Sequence, residues 1–67
     1  MTDYEQTEYK RIKETVEMCD TVYLVSILEE HGIMIDGEDR AETVHIMTRR
    51  IMMDEVDEIE VITCIGV

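Results

Sequence analysis

Cys19, His31, His45 and Cys64 are the side chains of this 67-residue sequence best suited to a transition metal. Zinc would bind them as thiolates and neutral imidazoles in a tetrahedron, usually with ligands paired about two to four residues apart. No two of the four stand that close, so no metal is expected. Both cysteines lie among apolar neighbours and read as core thiols, although a bridge between them is the open alternative. The cluster Asp36-Gly37-Glu38-Asp39 is rich in calcium-type oxygens. It lacks the alternating ligands and the glycine at the sixth position of a calcium loop, and a capped turn explains it.

Acid–base chemistry would need a carboxylate whose proton affinity is shifted by burial or by a close neighbour. The adjacent pairs Glu29-Glu30 and Asp57-Glu58 sit in strongly polar stretches that give no such burial. No Ser, His and Asp are set in a nucleophile turn, and no glycine-rich loop is present to cradle a phosphate. The sequence is read as non-enzymatic, without a cofactor.

What dominates instead is charge: seventeen acidic residues against six basic ones give a formal −11. It is unevenly placed. Residues 1–13 hold Asp3, Glu5 and Glu8 against Lys10, Arg11 and Lys13 and sum to zero, so the whole excess lies from Glu14 onward. There the only basic residues are Arg40, Arg49 and Arg50, and the densest acidic run is Asp54-Glu55-Val56-Asp57-Glu58-Ile59-Glu60. Such a chain repels nucleic acid and anionic membrane, and it attracts a positively charged surface.

High charge with low hydrophobicity marks disorder, but 45% of these residues are hydrophobic, chiefly Ile, Val and Met. One small folded domain spanning residues 1–67 is expected. A domain of this size buries little surface and usually needs a staple. Two cysteines without a signal peptide fit an intracellular protein, so a homodimer is the favoured staple. No apolar run approaches the roughly 20 residues that span a bilayer, and the expected location is the cytoplasm.

The elements that would carry these residues begin with a helix capped at Thr2 or Asp3, with Ile12, Val16, Cys19 and Tyr23 at helical spacing. Asp20-Thr21 either interrupts this helix or is absorbed in it, because Val22, Val25, Ile27 and Leu28 keep the period up to Glu30. Gly32 is a C-terminal cap. Ile33-Met34-Ile35 reads as an extended linker and Asp36-Gly37 as a turn. From Glu38 a second helix follows, with Ala41, Val44, Met47 and Ile51 on one face. Thr43 to Met53 is alternatively a strand, turning at Asp54 to Asp57. The segment Ile59 to Val67 is dominated by β-branched residues and reads as a strand, paired in a hairpin or across a dimer. The expected fold class is α+β.

Acidic side chains three or four apart on a helix stand about 5–6 Å from one another, and DNA presents one charge per about 1.7 Å of axis. Acidic rows can therefore imitate phosphates along a strand. Glu14 and Glu17 are three apart, Glu38 and Glu42 four apart, and Asp54 to Glu60 is a dense acidic loop. The expected partner-binding residues are Glu38, Asp39, Glu42, Asp54, Glu55, Asp57, Glu58 and Glu60.

In size, charge, absence of proline and element layout the whole chain resembles the small acidic DNA-mimic proteins that bacteriophages use to disable host factors. The resemblance implies a host-takeover inhibitor in the host cytoplasm, with a basic DNA-binding protein as target. A histone-like nucleoid protein such as HU is the leading target, because it binds DNA mostly through charge and shape. Over about 20 residues, Leu28-Glu29-Glu30-His31-Gly32-Ile33, Gly37 and Ala41-Glu42-Thr43-Val44 also resemble the SAP-type DNA-binding module. Glu38-Asp39 stand where that family presents Lys or Arg, which argues against DNA binding. The alternative function is an adaptor or oligomerisation module that binds a protein through an apolar groove containing Met47, Ile51 and Met52.

Overall fold

The computed structural model describes residues 3–35 and 39–65, and their regular structure is entirely helical. In chain order the helices are α1 (Asp3–Glu17), α2 (Thr21–Glu30), α3 (Arg40–Met52) and α4 (Glu58–Ile65). The expected α+β class is thereby corrected to all-α: no strand occurs among the described residues. Asp36, Gly37 and Glu38, expected as a turn and the start of the second helix, lie outside the described residues, as do Gly66 and Val67.

The chain breaks between α1 and α2 at Asp20, whose backbone is extended (φ −66°, ψ 146°) and whose side chain makes no capping bond. The last turn of α1 tightens, with Met18 N donating to the Thr15 carbonyl at 3.1 Å and Cys19 N to that of Val16 at 3.0 Å. The break brings Val16 and Cys19 into one core with Leu24, Ile27 and Leu28. Gly32 does cap α2: it takes φ +80°, and Ile33 N reaches back to the Leu28 carbonyl at 2.9 Å.

Asp39 caps α3 by accepting from Ala41 N at 3.0 Å and Glu42 N at 3.3 Å. The strand alternative for Thr43 to Met53 is excluded, because Thr43, Val44, Met47, Thr48 and Ile51 recur at three- and four-residue steps and form one buried stripe. The two threonines are buried without unmet hydroxyls, since Thr43 Oγ1 donates to the Asp39 carbonyl and Thr48 Oγ1 to that of Val44. Helix α3 is capped at Met53, and Asp54 takes the left-handed conformation (φ 60°) where a glycine is usual. Asp54 to Asp57 turns a helix–helix corner rather than a hairpin.

The expected C-terminal strand is α4, and its reason lies at its start. Asp57 and Glu60 form a reciprocal cap: Ile59 N donates to Asp57 Oδ1 at 3.0 Å, and Asp57 N to Glu60 Oε2 at 3.4 Å. Val61 is fully buried, with Cys64 and Ile65 packed beside it at helical spacing. A lone strand would leave its amides and carbonyls unpaired, whereas a helix satisfies them within eight residues. Helices α1 and α2 pack on α3, and α4 packs on α1 and α2, enclosing a single core of Ile, Leu, Val, Met and Cys19.

Candidate functional site

The acids of the dense run, exposed or half-buried, are largely engaged by cations and amides of the chain itself. The Glu55 carboxylate meets Arg50 at 2.6 Å, Glu58 meets Arg11 at 3.2 Å, and Glu60 meets His31 at 2.9 Å. Asp57 is held as the cap of α4, and Asp39 as the cap of α3. Asp54 and Glu42 are exposed, and their carboxylates pair with no described residue. Glu38 lies outside the described residues. Of the eight expected contacts, the structure thus gathers Asp54, Glu55, Asp57, Glu58 and Glu60 at the α3–α4 corner and places Asp39 and Glu42 at the opposite end of α3.

Arg11 sits between two carboxylates, Glu8 at 3.1 Å and Glu58 at 3.2 Å. Its proton affinity is raised, first by the hydrogen bond to Glu8 and then by that to Glu58. Arg40 is used differently, donating to the carbonyls of Glu17 (2.6 Å) and Cys19 (3.2 Å) and to Thr21 Oγ1 (2.9 Å). One of the few cations in the acidic part of the chain therefore pairs with no carboxylate of the described residues.

Four further acids stand out once the helices are placed. Glu14 and Glu17 lie in the last turn of α1, and Glu29 and Glu30 in the last turn of α2. Neither turn holds a basic residue, and the four exposed carboxylates pair with no described residue. Carboxylates at a helix C-terminus oppose the helix dipole by about 0.3–1 kcal/mol each. Glu14 and Glu17 have Lys10 and Lys13 four residues before them on the same helix, while Glu29 and Glu30 have no such neighbour. In the sequence Glu14 and Glu17 stand out as a spaced pair outside the expected contacts, and Glu29 and Glu30 as an adjacent acid–base pair and part of the SAP-like stretch.

Between the N-terminal half of α1 and the α3–α4 corner runs a groove of about 820 Å³. Its apolar lining includes Tyr4, Ile51, Met52, Met53 and Val56. Glu5, Glu8, Asp54, Asp57 and Glu58 also line it, against Arg11 and Arg49, so five carboxylates less two guanidiniums leave a lining charge of −3. Tyr4 and Met53 are 75% and 57% exposed. Of the methionine and isoleucine contacts expected from the sequence, Ile51 and Met52 line this groove, whereas Met47 is fully buried in the core. The sequence marks Met52-Met53 as a candidate adaptable surface, but Tyr4 joins it only through helix packing, which decides the side of each helix that stays uncovered.

The metal candidates are dispersed. Cys19 is buried beside Cys64, His31 is bonded to Glu60, and His45 Nδ1 lies 2.6 Å from the Tyr9 hydroxyl. Both cysteines are free thiols. Among the described residues no three of His, Cys, Asp and Glu converge on a common point, and no helix is long and apolar enough to cross a membrane. Compared with protein families, curated proteins and solved structures, the chain matches none.

Proposed function

We propose that this protein is a non-enzymatic inhibitor that offers DNA-like negative charge to the DNA-binding surface of a basic host protein, with a histone-like nucleoid protein such as HU as the best fit. The observation that carries this reading is the placement of Glu29 and Glu30. They sit exposed at the C-terminus of α2, where the dipole opposes them and no described residue pairs with them. Charge that weakens its own helix is better explained by an external cation than by folding. Glu42 and Asp54 extend the unpaired set, beside the carboxylates that cap or pair at the α3–α4 corner.

A phage origin and action in the host cytoplasm belong to the same proposal. So does a homodimer, although its expected strand-to-strand route is gone. Ile59 and Ile62, 65% and 50% exposed on the outer side of α4, are the apolar pair that a second copy would cover.

The test is a pull-down from bacterial lysate washed at rising salt, followed by a DNA-competition gel shift on the main protein recovered. The expected result is a basic DNA-binding protein that elutes with salt and is displaced from DNA by this chain. A partner without DNA-binding activity, held through high salt, would overturn the mimic reading in favour of the apolar-groove adaptor. That second reading is favoured by Tyr4, Met52 and Met53 in the groove.

A further inference from the structure

We propose that the groove between α1 and the α3–α4 corner takes an amphipathic basic segment of the partner, seating an apolar side chain on Tyr4, Met52 and Met53 with flanking Lys or Arg against Asp54, Asp57 and Glu58. This rests on the reading that the chain binds a basic protein, and it adds where and how the segment docks. Pure phosphate mimicry needs only carboxylates on a convex surface. Here carboxylates and apolar side chains line one groove, which leaves a tyrosine and a methionine largely exposed. Methionine thioethers repack around varied shapes, and the tyrosine ring offers apolar contact with a polar tip.

Charge selects among occupants. A second copy would bring another −11 and the same acidic lining, so like charges would meet across the groove. Nucleic acid and anionic lipid carry the same sign as that lining. A segment with both Lys or Arg and an apolar anchor satisfies the carboxylates and the exposed Tyr4 and Met53 together. Binding then has two components: the charged contribution is screened by salt, and the apolar contribution is not.

The experiment titrates the protein with a labelled helical peptide of alternating Leu and Lys pairs and, separately, with an oligolysine of equal charge, at about 0.05 and 0.3 M salt. The Leu/Lys peptide is expected to bind at least about tenfold more tightly than oligolysine at the higher salt. Tyr4→Ser with Met53→Ser removes that advantage, and Asp54→Asn with Asp57→Asn weakens both peptides mainly at low salt. Val22→Ser, at an exposed apolar position on α2 away from the groove, leaves both unchanged. Equal affinity for the two peptides would overturn the proposal, as would an advantage that survives the Tyr4/Met53 change or disappears with the Val22 change.

Methyl NMR of the unaltered protein gives a readout independent of any variant's folding. The Met52 and Met53 signals should move with the Leu/Lys peptide, and unmoved signals would sink the groove. The gel shift separates this outcome from the parent reading. Peptide in the groove without displacement of any DNA-binding protein leaves the groove standing and mimicry fallen, and displacement with silent methionines does the reverse.

Discussion

Arg40, the first residue of α3, donates from Nη2 to the carbonyl of Glu17, the last residue of α1, at 2.6 Å. Its other terminal nitrogen reaches the Cys19 carbonyl and Thr21 Oγ1, so one guanidinium closes the break between α1 and α2. A planar fork suits this, because backbone groups left by a helix end point in fixed directions and a single cation serves several. Replacing Arg40 with Met should lower unfolding stability by about 1.5–3 kcal/mol in urea titration, the range for hydrogen bonds to a charged group. Lys should restore only part of it. A Met variant as stable as the parent would show that the break is held by packing alone.

Asp54 adopts φ 60° without being glycine. The left-handed conformation costs an L-residue roughly 1 kcal/mol, less for Asp or Asn than for branched residues. Asp54→Gly should therefore raise the melting temperature, with Asp54→Asn near the parent after allowance for the lost charge. If Gly lowers the melting temperature, the Asp54 side chain contributes something to the corner beyond its conformation.

The cap on α4 separates charge from folding in the acidic run. Asp57→Ala removes the acceptor for Ile59 N and should cost about 0.5–2 kcal/mol, whereas Asp57→Asn keeps an acceptor and removes the charge. Glu55→Gln disrupts an exposed pair with Arg50 and should cost under about 1 kcal/mol. Hence changing Asp54, Glu55, Asp57, Glu58 and Glu60 together to Asn or Gln should weaken partner binding steeply while circular dichroism still reports a helical chain. Unchanged binding would confine the contact to Glu29, Glu30 and Glu42.

Cys19 is 2% exposed, and burial, then the neighbouring Cys64 thiol, pushes its proton affinity up. The folded state thus holds the thiol proton more tightly than the unfolded chain does. The stabilisation is complete below the unfolded thiol value of about 8.5 and is lost as pH rises from there through the folded value. Urea titrations from pH 7 to pH 10 should show stability falling more steeply in the parent than in Cys19→Ala. In the native protein, the half-buried Cys64 should react first with a thiol reagent. Equal pH slopes, or faster labelling of Cys19, would contradict the buried geometry.

Much of the helical part of the fold was legible before any coordinates. Ile12 and Val16, and then Val44, Met47 and Ile51, recur at helical steps, and Gly32 marks a helix end whose left-handed backbone favours glycine. The last segment misled because Ile59, Val61, Ile62, Thr63 and Ile65 carry a β preference. The contrary signal was Asp57 three residues before Glu60, a start signature that the acidic run concealed among similar residues.

The net charge, its absence from the first thirteen residues, and the buried stripes of α1 and α3 follow from residue type and order, because they depend on composition and on positions a few residues apart. Which carboxylates remain unpaired does not. Glu58 meets Arg11 and Glu60 meets His31 across long separations in sequence, and Tyr4 and Met53 line one groove only because α1 lies along the α3–α4 corner. Those relationships exist only once the helices pack. Packing is decided by how all the apolar stripes can be buried at once, and no local window of the sequence contains that information.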